Sequence, residues 1–550
     1  MPRILRTLTL GLFLASCAGE SGKVEPGVLV VNEAEQTAAF IQNFNPFFEF
    51  GDVRWPARHS MYEPMMIYNV MTGDYVPWLA TNYTWSEDNR TLRFAIRDGV
   101  KWSDGRAFSA DDVLWTFEMM ESNKALDLRG LGEFLAEVTE PEPGVVEFSL
   151  HRPYVPALEY IAQQPIVPRH VWKDVADPVS FANETPVATG PFTEVLKFQT
   201  QSYKIGRNPH YWKGKPGVEA LRFLAFPGNE QANMALVTGD VDWAADFVPA
   251  IDRIFVGRNP EDHHYWFPLV DGTVFLFANT AVPPYDDPGV RKALSMAIDR
   301  ELVVKVGMHD YTRPADATGL SDAYARFRSA KAVEAGTWVD HDVAAANAML
   351  DEAGFPRNEE GIRFDFEIVV PSGFSDWMRA AQVMCHGFRE IGVDAKVKTY
   401  DFNTWYEKVQ NGEFQVSLGW SEVHESPYGL YRGLMSTKTV AAIGETGVEN
   451  WHRYGNPRAD RLLATLSRTR DDELTREIVY QLQDLFVEEA PAIPLFPGPS
   501  WGEFNTRQFT GFPTAENPYA PLTPNWAPQT LLVLTELAPK SSAEGVSAKR

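Results

Sequence analysis

The sequence predicts an α/β protein, and three observations carry that prediction. Residues 363–400, "RFDFEIVVPSGFSDWMRAAQVMCHGFREIGVDAKVKTY", read as strand, helix and strand, the form of a βαβ unit. Capped helical patterns alternate with strand patterns along the whole chain. The 550 residues exceed what one hydrophobic core organises, so two or three sub-domains are expected.

Taken in order, the chain opens with Arg3 and Arg6, then a short apolar run over 8–14, too short to span a bilayer as a helix. This predicts an export signal. Ala15-Ser16-Cys17 follows and resembles the lipobox of bacterial lipoproteins, which implies cleavage before Cys17 and acylation of its thiol; the other reading is an ordinary signal peptide with a chance cysteine. Residues 18–27, "AGESGKVEPG", have the small, polar composition of a tether. With Cys17 acylated, Cys385 has no partner, and its place in a helical pattern makes it a buried core residue.

"TLRFAIRDGVKWSDG" over 91–105 alternates Leu92, Phe94 and Ile96 inward and reads as a half-buried hairpin turning at Asp104-Gly105. A helix then starts at Ser109, with Asp112 at the capping-box position and Val113, Phe117 and Met120 on one stripe. Pro288 opens another, with Val290, Leu294, Ala297 and Val304 near one face. A helix over "DDELTREIVYQLQDLFVEE" buries Ile478, Leu482, Leu485 and Phe486 and stops before Pro491. The polar C-terminal segment is expected to fray.

Net charge is -24 and no block of five basic residues occurs, which excludes nucleic acid as a partner. The chain contains no phosphate loop, no GxSxG elbow, no HExxH and no CxxC pair, so neither an ATPase nor a common hydrolase or metal-site pattern is indicated, and no cofactor is expected. His263-His264 would point to opposite faces of a strand, which disfavours joint metal ligation. The 16 Trp, 19 Tyr and 34 Phe supply flat faces for stacking a ligand as well as for filling a core.

Six stretches in order carry a family resemblance: "VKWSDGRAFSADDVLWTFE", "ATGPF" at 188–192, "RNPHYW" at 207–212, "FANTAVPPYDDPGVRKALSMAIDR" at 277–300, "GEFQVSLGW" at 412–420 and "EEAPAIPLF" at 488–496. The chain resembles the family 5 extracellular solute-binding proteins of ABC transporters. The resemblance implies a two-lobed periplasmic-binding-protein fold of the large, three sub-domain type, with a hinge and a ligand cleft between the lobes. It implies lobe I at 28–60, 186–282 and 502–540, an additional sub-domain at 61–185, lobe II at 283–501 and a tail at 541–550. It also implies no catalysis, delivery to ABC permease subunits, and an exported, membrane-anchored monomer in the periplasm or on the outer face of the cell membrane.

Peptide binders of this family place an aspartate shortly after a Gly-Trp pair, to hold the peptide's α-amino group. Here Gly419-Trp420 is followed by Ser421, Glu422, Val423, His424 and Glu425, with no aspartate, and Glu422 or Glu425 is the available substitute. "SPYGLYRGLMS" at 426–436 and "PSWGEFNTRQFTGFPTAENPYAP" at 499–521 are similar to segments of the branch that binds cello-, manno- and xylo-oligosaccharides. The leading expectation is therefore a short neutral oligosaccharide, with peptide as the alternative and an exported carbohydrate-active hydrolase as a third reading. Trp420, Tyr428 and Trp501 are the expected stacking residues, Glu422, Asn279 and Asn505 the expected hydroxyl partners, and Trp55 and Asn45 lie where the family's first lobe meets ligand.

Overall fold

The computed structural model describes residues 24–33, 37–47, 57–127 and 129–541. Cys17, Trp55 and residues 542–550 lie outside the described residues. Two large sheets organise the chain. The first has seven strands in the order His263–Tyr265, Glu503–Asn505, Trp243–Ala244, Val28–Asn32, Ala220–Leu224, Ser202–Arg207 and Phe192–Gln199. The second has five, in the order Val393–Tyr400, Phe364–Pro371, Val416–Trp420, Asp271–Ala278 and Ile493–Gly498. A separate antiparallel sheet of four strands, Ala80–Trp85, Thr91–Ile96, Val145–Leu150 and Leu135–Glu142, stands beside them.

The βαβ unit is present as read. Phe364–Pro371 pairs in parallel with Val393–Tyr400, and the helix Ser375–Glu390 connects them. That helix buries Ala381, Met384, Cys385 and Phe388, and burial pushes the Cys385 thiol up to about 11, which keeps it protonated and inert. The helix Ala110–Ser122 begins after Ser109, whose amide donates to Asp112 Oδ2 at 3.1 Å, and it buries Val113, Phe117 and Met120. The helix Asp472–Glu489 buries Ile478, Leu482, Leu485 and Phe486 and ends at Ala490, one residue before Pro491. The expected helix after Asp287 is split: Pro288–Met296 stops, and Asp299 caps a new turn by accepting from Leu302 N at 2.9 Å.

Three expectations are corrected. Leu92 and Phe94 do point inward, but their strand pairs with Ala80–Trp85 and Val145–Leu150, and Asp104-Gly105 turns only a small bridge between Lys101 and Ala107. Residues Glu25 and Gly27 are docked on the first lobe rather than being free tether: Lys204 Nζ donates to Glu25 Oε1 at 2.7 Å and Gly27 N to Gln508 Oε1 at 3.2 Å. The crossing from the first sheet to the second falls at 266–270 rather than at 282. The strand Asp271–Ala278 pairs on both sides inside the five-stranded sheet, so its apolar run "TVFLFA" is central core there.

The chain crosses between the sheets twice, outward over 266–270 and back over 499–502. The two crossings are tied by backbone hydrogen bonds, Trp266 N to Gly502 O at 3.0 Å and Ser500 N to Pro268 O at 2.8 Å. Glycine is obligatory at this base. A Cβ on Gly272 would sit 1.6 Å from the Ser421 carbonyl oxygen, and one on Gly498 would sit 2.4 Å from the Gly272 carbonyl oxygen. Among the described residues no helix is long and apolar enough to cross a membrane.

Candidate ligand cleft

Both crossings leave from one edge of each sheet, so those edges face each other across the hinge. The first lobe brings the carboxyl ends of Val28–Asn32 and Trp243–Ala244, with Asp246 just beyond and Glu503 at the start of the returning strand. The second brings the carboxyl ends of Val416–Trp420 and Phe364–Pro371, with Asp271 at the start of its central strand. Ligand sites in open α/β sheets form outside such carboxyl ends.

Trp420 stands half-buried at this edge. Its ring lies parallel to Tyr406 (7°, centroids 6.3 Å apart) and edge-on to Trp451 (84°, 5.4 Å), with Trp405 and Trp377 behind. Its indole Nε1 donates to Glu422 Oε1 at 3.0 Å, which fixes the position of that exposed carboxylate. Asp271 keeps solvent contact, yet the protein crowded around it disfavours its charge and pushes its carboxyl up to about 7; the Gly272 amide at 2.7 Å opposes this and Glu422 adds to it. Glu425 is already engaged, since Tyr75 Oη donates to its Oε2 at 2.7 Å.

Trp501 lies in the returning crossing, half-buried, with its ring against Phe267 (4.8 Å), Phe247 (5.7 Å) and Tyr311 (6.1 Å). Tyr428 is buried on the helix Pro427–Met435, its hydroxyl 3.4 Å from that of Tyr154. Asn279 and Asn505, expected as hydroxyl partners, and Asn45, expected where the first lobe meets ligand, are corrected to structural residues, because each buried amide is already committed to the protein. Asn45 donates to the carbonyls of Pro178 and Phe181, and Asn279 to those of Gly412 and Phe414. Asn505 donates to Val241 O and Asp242 Oδ1. Trp420, Glu422 and Trp501 remain at the cleft edge.

Polar contacts close the cleft on both flanks. On one, His424 Nδ1 lies 3.0 Å from Glu159 Oε1, and Glu425 N donates to Glu159 Oε2 at 3.3 Å. Burial lowers the basicity of His424, but the Glu159 carboxylate outweighs it and holds the imidazole above its ordinary value. On the other flank Asn229 N donates to Gly373 O at 3.2 Å, and Tyr311 Oη donates to Val248 O at 2.9 Å. Asp271, Glu159, Asp246 and Glu503 were not singled out in the sequence; the Asp271-Gly272 pair directly before an apolar strand was the local signal for the first.

The profile of the bacterial extracellular solute-binding proteins, family 5 (middle), matches residues 74–441. The chain belongs to that family. This family 5 protein is therefore a solute-binding protein of an ABC importer, from an extracellular, ligand-binding family that works with ABC permeases. It is 25% identical over 491 residues to the dipeptide-binding protein of Escherichia coli, covering 82% of this chain and 86% of that relative. Its fold matches the mannohexaose-bound periplasmic oligopeptide-binding protein of Thermotoga maritima with a TM-score of 0.85 at 24% identity, covering 94% of this chain and 100% of the other. It also matches the periplasmic binding protein DppA of Helicobacter pylori, solved with the peptide STSA, with a TM-score of 0.78 at 19% identity over 94% and 98% of the two chains. The family 5 protein thus has the two-lobed fold expected from its motifs.

Proposed function

We propose that the protein captures short peptides and delivers them to an ABC permease, with peptide now the first reading and oligosaccharide the second. The observation that carries this is the exposed Glu422 carboxylate, held by the Trp420 indole beside Asp271. It stands two residues after Trp420, where it can substitute for the aspartate that the family's peptide binders place shortly after the Gly-Trp pair to hold the α-amino group. The two carboxylates repel each other, which favours a cationic group between them. The E. coli dipeptide-binding relative supports the same ligand class.

The second reading keeps the transport role and changes the ligand to a neutral cello-, manno- or xylo-type oligosaccharide. It is favoured by the half-buried rings of Trp420 and Trp501 at the cleft edge and by the mannohexaose bound in the Thermotoga maritima structure. Attachment to the membrane through an acylated Cys17 belongs to either reading.

Titration with di- to pentapeptides and with manno- and cello-oligosaccharides, followed by Trp fluorescence and thermal melting, separates the two. A true ligand at about 100 times its Kd adds roughly 2.7 kcal/mol of stability. Stabilisation by sugars and by no peptide would overturn the peptide reading, and release of shorter sugars would reveal a hydrolase.

A further inference from the structure

The first lobe holds a second acidic pair that no other group in the described structure neutralises. Glu503 pairs in register with Ala244, two residues before Asp246, and Asp246 N donates to Glu503 Oε2 at 3.2 Å. The Asn32 amide donates to Asp246 Oδ2. This leaves Asp246 Oδ1 and Glu503 Oε1 without partners, on side chains only 1% and 0% exposed.

Two other buried acids are fully engaged by neighbouring donors. Asp242, four residues earlier, receives Arg507 Nη2 at 2.6 Å, and the buried Glu63 accepts from Trp78, Tyr211 and Trp212. Buried polar atoms are ordinarily satisfied, so a pair left open at a ligand-facing edge is unusual. Beside it, Phe247 and Trp501 follow Asp246 and precede Glu503 in the chain and meet edge to face at 5.7 Å, which supplies an aromatic wall next to the carboxyls.

We propose that Asp246 and Glu503 form a subsite for a cationic side chain of the ligand, an ammonium or guanidinium group, so that the protein selects peptides carrying lysine or arginine. This rests on the peptide reading and names its specificity. A cation with several N–H donors satisfies both open oxygens at once, whereas one neutral hydroxyl donates to only one of them. In the empty protein burial pushes Asp246 up to about 7 and Glu503 well above the carboxylate range, so the pair holds protons. Binding replaces a proton by the ligand cation: the carboxylic O–H is lost to buffer as the carboxylate pairs with the ammonium.

The test is calorimetric titration of the full-length protein at pH 6.5 with Ala-Lys-Ala and with its norleucine isostere, in buffers of different ionisation enthalpy. The wild type is expected to prefer the lysine peptide by about tenfold or more. It is also expected to release a fraction of a proton, up to roughly one, on binding that peptide and not on binding the isostere. Asp246→Asn and Glu503→Gln should bring the preference ratio close to one. A wild-type ratio near one without proton release, or variants that keep the full preference, would overturn the subsite. If neither peptide binds, the peptide reading fails, and the subsite is judged alone by thermal shift with cadaverine against 1-pentanol. A cadaverine shift that disappears in Glu503→Gln sustains it, and no shift or an equal shift in the variant overturns it.

Discussion

Tyr75 and Glu425 meet across the cleft, the tyrosine hydroxyl donating to the Glu425 carboxyl at 2.7 Å, one residue from the pair His424 and Glu159 at 3.0 Å. The strand Asp74–Pro77 and the helix Ala157–Ala162 are therefore joined to the second lobe by groups that titrate. Burial pushes Glu425 up to about 7, and His424 is held above its ordinary 6.5. For Glu159, burial works against the charge, but His424 outweighs it and lowers its pKa below the ordinary 4.5.

The sign of the pH effect follows from these directions. A raised His424 favours the closed contact below its open-state value, and that contribution is lost as pH rises through its closed-state value. Glu425 is raised too, so the closed form binds more protons than the open one between about 4.5 and 7, and closure weakens as pH rises through that range. The lowered Glu159 loses its contribution only below the ordinary carboxylate range. Closure, read by small-angle scattering or by a fluorophore pair across the lobes, is expected to be stronger at pH 6 than at pH 8. His424→Gln should flatten the profile, and an unchanged profile in that variant would refute the assignment.

Replacing Glu422 by Gln keeps the bond from the Trp420 indole and removes the charge. Affinity for a free-amino peptide should fall about tenfold, near 1.4 kcal/mol, while the N-acetylated form of the same peptide should respond little. Equal losses for both forms would show that Glu422 does not read the amino group.

Gly272→Ala should be among the most damaging small substitutions in the molecule. The new methyl would meet the Ser421 carbonyl at 1.6 Å, a backbone atom that can yield only if the hinge base shifts. A cost of about 1–3 kcal/mol or more is expected, read as a lower melting temperature.

Cys17→Ala should abolish incorporation of labelled fatty acid and move the protein from the membrane fraction to the soluble exported fraction. Unchanged fractionation would remove the acylated anchor.

What the sequence made legible was local. The βαβ unit over 363–400, the Ser109 cap and the stripe Ile478, Leu482, Leu485 all depend on periodicity and neighbours within a few residues, and each stands in the structure. What it hid was set by distant partners. The strand Asp271–Ala278 belongs to the second sheet because Val274 pairs with Trp420, 146 positions away. Asn45, Asn279 and Asn505 are structural because buried carbonyls from remote segments reach their amides. Glu422 and Glu425 are alike in sequence, and only the approach of Tyr75 separates a spoken-for acid from an open one. Asp246 and Glu503, 257 residues apart, carry no local sign of meeting.

The place of Glu503–Asn505 between Trp243–Ala244 and His263–Tyr265 sets an order of assembly. The first lobe's sheet lacks an interior strand until the whole second lobe, a continuous insertion, has been synthesised and threaded out of the cell. Lobe II can mature as a unit while lobe I waits, with its strand ends open, for a late segment to slot in, a long-range pairing of the kind that slows folding. A chain truncated before Glu503 would keep a complete second half and leave the first unfinished, although the first began to emerge earlier.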